Sequence, residues 1–565
     1  MENCCRFFAN RDCEYYPCHE GIEDFNCLFC YCPFYLREKC PGNPRFLKTE
    51  EKIIKDCSGC NYPHRPESYD IILDWIKKEN EKREFSDERF LSNPGRAGKR
   101  PMSKQRVGNP KMSNEVNLGQ GSVGKLLLKL AVPSITAQII NLLYNLVDRM
   151  YIGHLPEVGA AALTGVGVTL PVIMVISAFA ALFSMGGASR ASIMMGKQKK
   201  EAAENILGNC TTALVCIALV LTVVFQVFGY QVLMMFGASE NTIGYAWSYM
   251  QIYSMGTIFV QLALGLNAFI NAQGYAKTGM LSVMIGAGCN ILLDPILMFG
   301  FQMGVQGAAV ATVISQGVSS AWVLYFLCSR KSFLRIRKKY LKLSGKVLWP
   351  CVALGASPFI MQFTESALIV SFNVSLYKYG GDMAVGVMTV LSSVMQFAML
   401  PLQGLTQGAQ PIVSYNFGAG NMERVKKAFY CLLRACVIYS TVLWGLAMIV
   451  PQMFMHMFTQ NAEYISMGIW AMRVYMAASC IYGIQIACQQ TFIALGNALT
   501  SVFLALLRKV ILLIPLIFIL PALLPDKVFG VFLAEPVADT IAVTVTGILF
   551  LREYKRLSHK KVGMD

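Results

Sequence analysis

Gly186-Gly-Ala-Ser-Arg-Ala-Ser-Ile-Met-Met-Gly196 returns 222 residues later as Gly408-Ala-Gln-Pro-Ile-Val-Ser-Tyr-Asn-Phe-Gly418. The register holds without a gap from Gly186 to Thr278, with 17 identities in 93 positions. Among them are Glu201/Glu423, Met235/Met457, Phe236/Phe458, Tyr253/Tyr475, Gly274/Gly496 and Thr278/Thr500. Apolar composition inflates chance identity, but it does not explain matched glycines and a matched glutamate in the polar breaks. The chain reads as two related halves.

Around that repeat the sequence is 55% hydrophobic and 15% charged over 565 residues, too apolar and charge-poor for a soluble protein of this size. Residues 1–120 hold 20 Lys+Arg against 19 Asp+Glu, whereas residues 121–565 hold 30 against 15, so nearly all of the +16 net charge falls in the apolar part. Those charges lie between long apolar runs, which argues for membrane orientation and against nucleic acid as a partner. Met1–Phe8 has no apolar h-region, so no secretory signal peptide is expected.

From Lys125 onward, apolar stretches long enough to cross about 30 Å of hydrocarbon recur with short breaks. Twelve are predicted: 126–151, 160–185, 206–228, 245–270, 280–301, 304–328, 347–377, 383–407, 429–451, 465–493, 502–524 and 529–551. They must be helices, because period-two alternation is absent and hydrocarbon leaves no backbone group unpaired. The even-numbered breaks carry the basic residues, including Arg190, Lys197, Lys277, Arg335, Arg337, Lys338 and Arg424, as does the tail from Arg552. By the positive-inside rule both termini are expected in the cytoplasm. Six spans per half is an even number, so the halves share orientation, and parallel repeats of this kind enclose a central cavity between two lobes. The predicted fold class is all-α integral membrane, twelve transmembrane helices in two six-helix lobes, preceded by a small cysteine-rich domain. The expected divisions are 1–78 cysteine-rich domain, 79–120 flexible linker, 121–335 N-lobe, 336–552 C-lobe and 553–565 basic tail.

An ionisable side chain at the bilayer centre costs roughly 2.5–3.5 kcal/mol on insertion scales, so each one needs a reason. Asp148 falls near the outer end of span 1; Asp294 falls in the outer part of span 5, with Asn290 one turn below on the same face; Thr312 enters span 6 from outside. Two carboxylates, an amide and a hydroxyl at similar depth suit a proton or a sodium ion; the plainer alternative is Asp148 pairing with Arg149 and the span 5 pair bonding to neighbouring backbone. The 222-residue shift sets Asp148, Asn290 and Asp294 against Val370, Leu512 and Leu516, so this chemistry would belong to one lobe only. Glu365 stands separately in span 7. Arg473 is the one basic side chain this reading sets well within a span, with Arg434 and Lys129 near cytoplasmic ends; an internal salt bridge from Arg473 to Glu535 and Asp539 is the expectation. Pro133, Pro171, Pro358 and Pro401 fall where a kink could act as a hinge.

At these residues the chain resembles the multidrug and toxic compound extrusion (MATE) family over about residues 118–552. The resemblance rests on Pro133, on Asn141-Leu-Leu-Tyr-Asn-Leu-Val-Asp148, on Asn290-Ile-Leu-Leu-Asp294-Pro295, on Gly307-Ala-Ala-Val-Ala-Thr312, and on Gln403-Gly-Leu-Thr-Gln-Gly-Ala-Gln-Pro411 followed by Asn416-Phe-Gly418. It implies two six-helix bundles around a V-shaped cavity, alternating access, and an ion site at Asp148, Asn290, Asp294 and Thr312. It also implies a hinge at Pro133, substrate contacts at Tyr144 and Asn267, and an acidic cavity residue at Glu365. Proton (H+) and sodium (Na+) coupling are not separated by the pattern. A monomer in the bacterial cytoplasmic membrane, acting on a small-molecule substrate, is expected.

Ten of the 19 cysteines precede residue 61. In a reducing cytoplasm metal ligation is the better reading than disulfides. Cys27-x-x-Cys30-x-Cys32 and Cys57-x-x-Cys60, with Cys13, Cys18, Cys40 and His64, offer nine ligands, and two tetrahedral zinc (Zn2+) sites would use eight. An Fe–S cluster is the alternative. Cys13-Glu-Tyr-Tyr-Pro-Cys18-His19 and Phe25-Asn-Cys-Leu-Phe-Cys-Tyr-Cys-Pro33 are similar to a cysteine-rich small domain, presumed in its family to bind metal, over about residues 3–75. The leading functional expectation is an ion-coupled antiporter for small, cationic drugs or metabolites. A lipid-linked glycan flippase is disfavoured because it should have a strongly cationic cavity; a metal or redox sensor built on a transporter is a third class. No nucleotide-binding loop or nucleophile–base constellation suggests an enzyme.

Overall fold

A computed structural model describes residues 41, 45–48, 53–56, 60–65, 67–85, 117–156, 158–458 and 461–559. The chain divides into two units, Met1–Lys111 and Met112–Asp565. In the first, β1 (Arg45–Lys48) pairs antiparallel with β2 (Ile53–Asp56), with Arg45 opposite Asp56. A helix, α1 (Ser68–Phe85), follows. It runs past residue 78, where the sequence reading ends the domain, because Glu, Lys and Arg are good helix formers even where their polarity reads as linker. Of the expected metal ligands, Cys13, Cys18, Cys27, Cys30, Cys32, Cys40 and Cys57 lie outside the described residues.

Among the described residues of the second unit, nine helices are long and apolar enough to cross a membrane, and two bent pairs raise the number to eleven. One of the nine, Gly345–Gly418, is 74 residues long and breaks at Gly381, whose φ of 61° and ψ of −160° suit glycine alone. Divided there, it supplies two spans, and the total is twelve.

Span 1 is Val123–Gly153, span 2 Gly159–Gly196, span 3 Lys200–Met235, span 5 Ala276–Pro295 continued by a π-helical turn, span 6 Gly304–Cys328, span 9 Met422–Ile449 and span 12 Lys527–His559. Spans 7 and 8 lie either side of Gly381. Span 11 is Ala498–Leu523 with a π-helical middle, Leu507–Leu513. Span 4 bends by 60° between Ile243–Met255 and Thr257–Ala272, and span 10 by 47° between Ala462–Tyr475 and Ser479–Ala494. The 222-residue shift carries Gly256, at the first bend, onto Ala478, inside the second, so the repeat includes its own irregularity.

The same shift relates contacts. The Ser192 hydroxyl donates to the Ala272 carbonyl at 2.8 Å, and the Ser414 hydroxyl donates to the Ala494 carbonyl at 2.8 Å. Each ties the basic-loop end of one span (2 or 8) to the end of the span two further on (4 or 10). Lipid supplies little hydrophobic drive between helices, so small residues that allow close approach decide such packing. At the lobe interface a Cβ on Gly355 would lie 1.8 Å from the Leu182 carbonyl oxygen, and one on Gly408 would lie 2.6 Å from the Ala131 nitrogen. The start of span 1, with Leu126, Leu127 and Leu130, is buried in the C-lobe core against Phe429 and Phe492, while Cys351 of span 7 is buried in the N-lobe core. The first turns of spans 1 and 7 are thus exchanged between lobes. The connection between lobes lies on the N-lobe: Gln273 Oε1 accepts from Ser332 Oγ at 3.0 Å and from the Leu334 nitrogen at 2.8 Å, and Arg337 pairs with buried Glu204 at 2.7 Å.

Candidate functional site

Spans 1, 5 and 6 bring the four predicted ion-coupling residues together. Asp148, Asn290, Asp294 and Thr312 are all buried. Asn290 Nδ2 donates to Asp294 Oδ1 at 3.1 Å and, more weakly, to Thr312 Oγ1 at 3.4 Å. The Asp148 and Asp294 carboxyl groups meet side chain to side chain. Asp148 Oδ1, Asn290 Oδ1 and Asp294 Oδ2 are left without a hydrogen-bond partner. Buried acceptors are normally satisfied. Oxygens that converge unpaired can share an added proton or coordinate a small hard cation.

The spacing explains the convergence. Asn290 and Asp294 are four residues apart on span 5, as Tyr144 and Asp148 are on span 1, so each pair shares a helix face. Two residues the sequence reading passed over stand beside the group: Gln316 next to Tyr144, and Tyr249 next to Thr312. Gln316 lies four residues beyond Thr312 on span 6, and that spacing is the signal that could have found it.

A cavity of about 260 Å³ opens beside this group. Tyr144, Asn290 and Thr312 form part of its wall, as do Asn267 and, from the other lobe, Gln362 and Gln407. Asn267 is held by its own bonds, donating to the Gly279 carbonyl at 3.0 Å and to the Ser282 hydroxyl, while Asn271 donates to its Oδ1 at 3.0 Å. At the lobe interface Gln410 Nε2 donates to Ser189 Oγ and to the Met185 carbonyl at 3.3 Å. Pro133 is buried within an unbroken span 1.

The C-lobe corrects two expectations. Arg473 does not pair with Glu535 and Asp539: its Nε donates to the Met448 carbonyl at 3.1 Å, and the residue is exposed. Their partner is Arg508, on span 11, with Nε to Asp539 Oδ1 at 2.6 Å, Nη2 to Glu535 Oε1 at 2.8 Å and Nη1 to the Tyr482 hydroxyl at 3.1 Å. Nor is Glu365 alone in span 7: Lys509 pairs with it and also donates to the Met361 carbonyl at 2.7 Å. Counting Arg473 as the cation within the spans overlooked Arg508 and Lys509, because the apolar run around them masks two adjacent charges. Both are neutralised by carboxylates, so they do not create the cationic cavity that a flippase for lipid-linked glycans would need.

In the first unit, Cys60 and His64 are both buried. Among the described residues no group of three His, Cys, Asp or Glu side chains is arranged to hold a metal.

Twelve spans in two repeated lobes, with buried polar chemistry beside a cavity between them, define a multi-pass secondary transporter rather than an enzyme. The MatE family model matches residues 133–296 and again 358–519, and the cysteine-rich small domain matches residues 4–86. The chain belongs to the MatE family, with a cysteine-rich small domain at its N-terminal end. It is 23% identical over 428 residues to the multidrug export protein MepA of Staphylococcus haemolyticus, covering 75% of this chain and 94% of that protein. It is also 23% identical to MepA of Staphylococcus aureus over 429 residues, covering 76% and 94%. Its fold matches a solved outward-facing conformation of a multidrug resistance MATE family transporter at a TM-score of 0.75 and 22% identity, covering 80% of this chain and 100% of that one. A transporter of the MOP superfamily from Pyrococcus furiosus matches at 0.73 and 21% identity, covering 80% and 100%.

Proposed function

We propose that the protein is an ion-coupled antiporter that exports small organic molecules, with cationic groups among them, by alternating access across the bacterial cytoplasmic membrane. The observation that carries this reading is the set of unpaired oxygens on buried Asp148, Asn290 and Asp294, directly behind the stretch of interlobe cavity wall that Tyr144, Asn290 and Thr312 form. The MepA relatives, named as multidrug exporters, support the direction of transport. The coupling ion, H+ or Na+, occupies that set together with Thr312. Tyr144, one turn from Asp148 and facing the cavity, links ion occupancy to substrate, with Asn267 contributing to the binding surface. Pro133 lacks a backbone donor and lets span 1 bend when the ion binds. An ion can drive the cycle only through its differential affinity for the two states, so it must favour the state that releases substrate.

The transporter acts as a monomer with both termini in the cytoplasm. Its cysteine-rich domain holds zinc, with Cys60 and His64 among the ligands; thiolate and imidazole are the donors zinc prefers.

Efflux of a fluorescent organic cation from proteoliposomes, under an imposed proton or sodium gradient, tests the reading with wild type and Asp294→Asn. Efflux driven by one gradient and lost in the variant supports it and names the ion. Normal transport by the variant refutes the ion site, and no transport by wild type under either gradient refutes the substrate class.

A further inference from the structure

Span 11 carries two adjacent cations, Arg508 and Lys509, inside its π-helical stretch. Single π turns within α-helices occur frequently at functional sites. The two side chains have different surroundings. Arg508 is held from three directions: each of its three nitrogens donates once, to two carboxylates and a tyrosine hydroxyl, and its guanidinium lies 4.5 Å over the Tyr482 ring. Lys509 has a single acid partner, and the exposure of that pair is unequal. The Lys509 side chain is 8% exposed, whereas that of Glu365 is 46% exposed. Glu365 lies one turn beyond Gln362, on the same side of span 7, and Gln362 lines the cavity. A fixed, buried ammonium therefore sits behind a carboxylate that is free on its outer side.

We propose that Lys509 and Glu365 form a recognition site for substrates that carry a carboxylate together with an ammonium group. The proposal rests on the export reading above and names the substrate class of that transporter. Breaking a buried ion pair is costly because it leaves a charge uncompensated. A zwitterionic substrate avoids this: its carboxylate takes Lys509, its ammonium takes Glu365, and every charge remains paired. Lys509 keeps its bond to the Met361 carbonyl throughout, so the cation stays oriented while its acid partner changes. A substrate with only a positive charge finds Glu365 already neutralised, and gains less from it than from an unpaired acid. One with only a negative charge displaces Glu365 and leaves it unpaired.

The test uses a rhodamine-type dye with a free carboxylate, whose cationic amino groups stand in for the ammonium, and its methyl ester, which keeps the cation and lacks the negative charge. Binding to the purified full-length protein is measured by fluorescence polarisation for wild type, Lys509→Met and the double variant Lys509→Met with Glu365→Gln. The double variant removes both charges at once and guards against misfolding of the single one. The expected result is that wild type binds both dyes, and both variants lose about tenfold or more for the free acid and less than about twofold for the ester. Equal losses for the two dyes, or no loss for the free acid, overturn the proposal. Wild type that binds the ester and not the free acid overturns it while leaving the export reading intact. Wild type that binds neither dye overturns both.

Discussion

Gly196 and Gly418 are equivalent positions of the repeat, and they face each other's helices across the lobe interface. A Cβ on Gly196 would lie 2.0 Å from the Tyr415 carbonyl oxygen; one on Gly418 would lie 2.0 Å from the Ile193 carbonyl oxygen, and Tyr415 is itself 222 residues from Ile193. The pseudo-twofold axis therefore passes through this contact, at the ends of spans 2 and 8 that carry basic loops. Closure on this side requires that neither helix bear a side chain there.

Gly418→Ala and Gly196→Ala should each force the two span ends apart and displace the equilibrium from the closed arrangement. Spin labels on exposed Lys197 and Ala419 would report a longer distance in both variants, of similar size in each. An unchanged distance would mean that the interface yields elsewhere.

Arg508→Met should be among the most destabilising single changes in the C-lobe. It strands Glu535 and Asp539, 5% and 3% exposed, without a cation. Breaking a buried pair by removing one partner costs about 3–5 kcal/mol. Thermal melting in detergent should show a large drop for Arg508→Met, recovered in good part when Glu535→Gln and Asp539→Asn are added.

Thr312→Val should leave the fold intact and weaken ion coupling. Valine keeps the shape but removes the hydroxyl, which Asn290 and Tyr249 both contact. Efflux driven by the effective gradient should fall, with little change in melting temperature. A comparable loss of binding for the dye in the absence of any gradient would indicate a substrate role instead.

Gln273→Leu should loosen the connection between the lobes. Its Oε1 accepts from two buried donors on Ser332 and Leu334. Leaving a buried donor unsatisfied costs about 1–3 kcal/mol. Limited proteolysis between residues 329 and 344 should accelerate in the variant.

Purified protein should contain zinc, released by a strong chelator with a spectrophotometric signal, and Cys60→Ser should lower the metal content per chain. Full retention of zinc by that variant would remove Cys60 from the ligand set.

The spans, the repeat and the positions of the buried acids were legible in the sequence, because hydrocarbon requires long apolar helices and makes every charge within them conspicuous. Asn290 and Asp294 could be placed on one face from their spacing alone, since helical periodicity is local. Which groups meet across helices was not legible. Arg473 and Arg508 both lie in apolar runs near enough to Glu535 and Asp539 in depth, and only the rotation of span 11, with its π-helical turn, decided that Arg508 takes both acids while Lys509 turns to Glu365. The exchange of the first turns of spans 1 and 7 between lobes, and the glycine contact at Gly196 and Gly418, likewise depend on helix crossing. Local chemistry fixes what a helix is and which face is polar; the partner of that face is set by packing between segments distant in the chain, which only the tertiary structure decided.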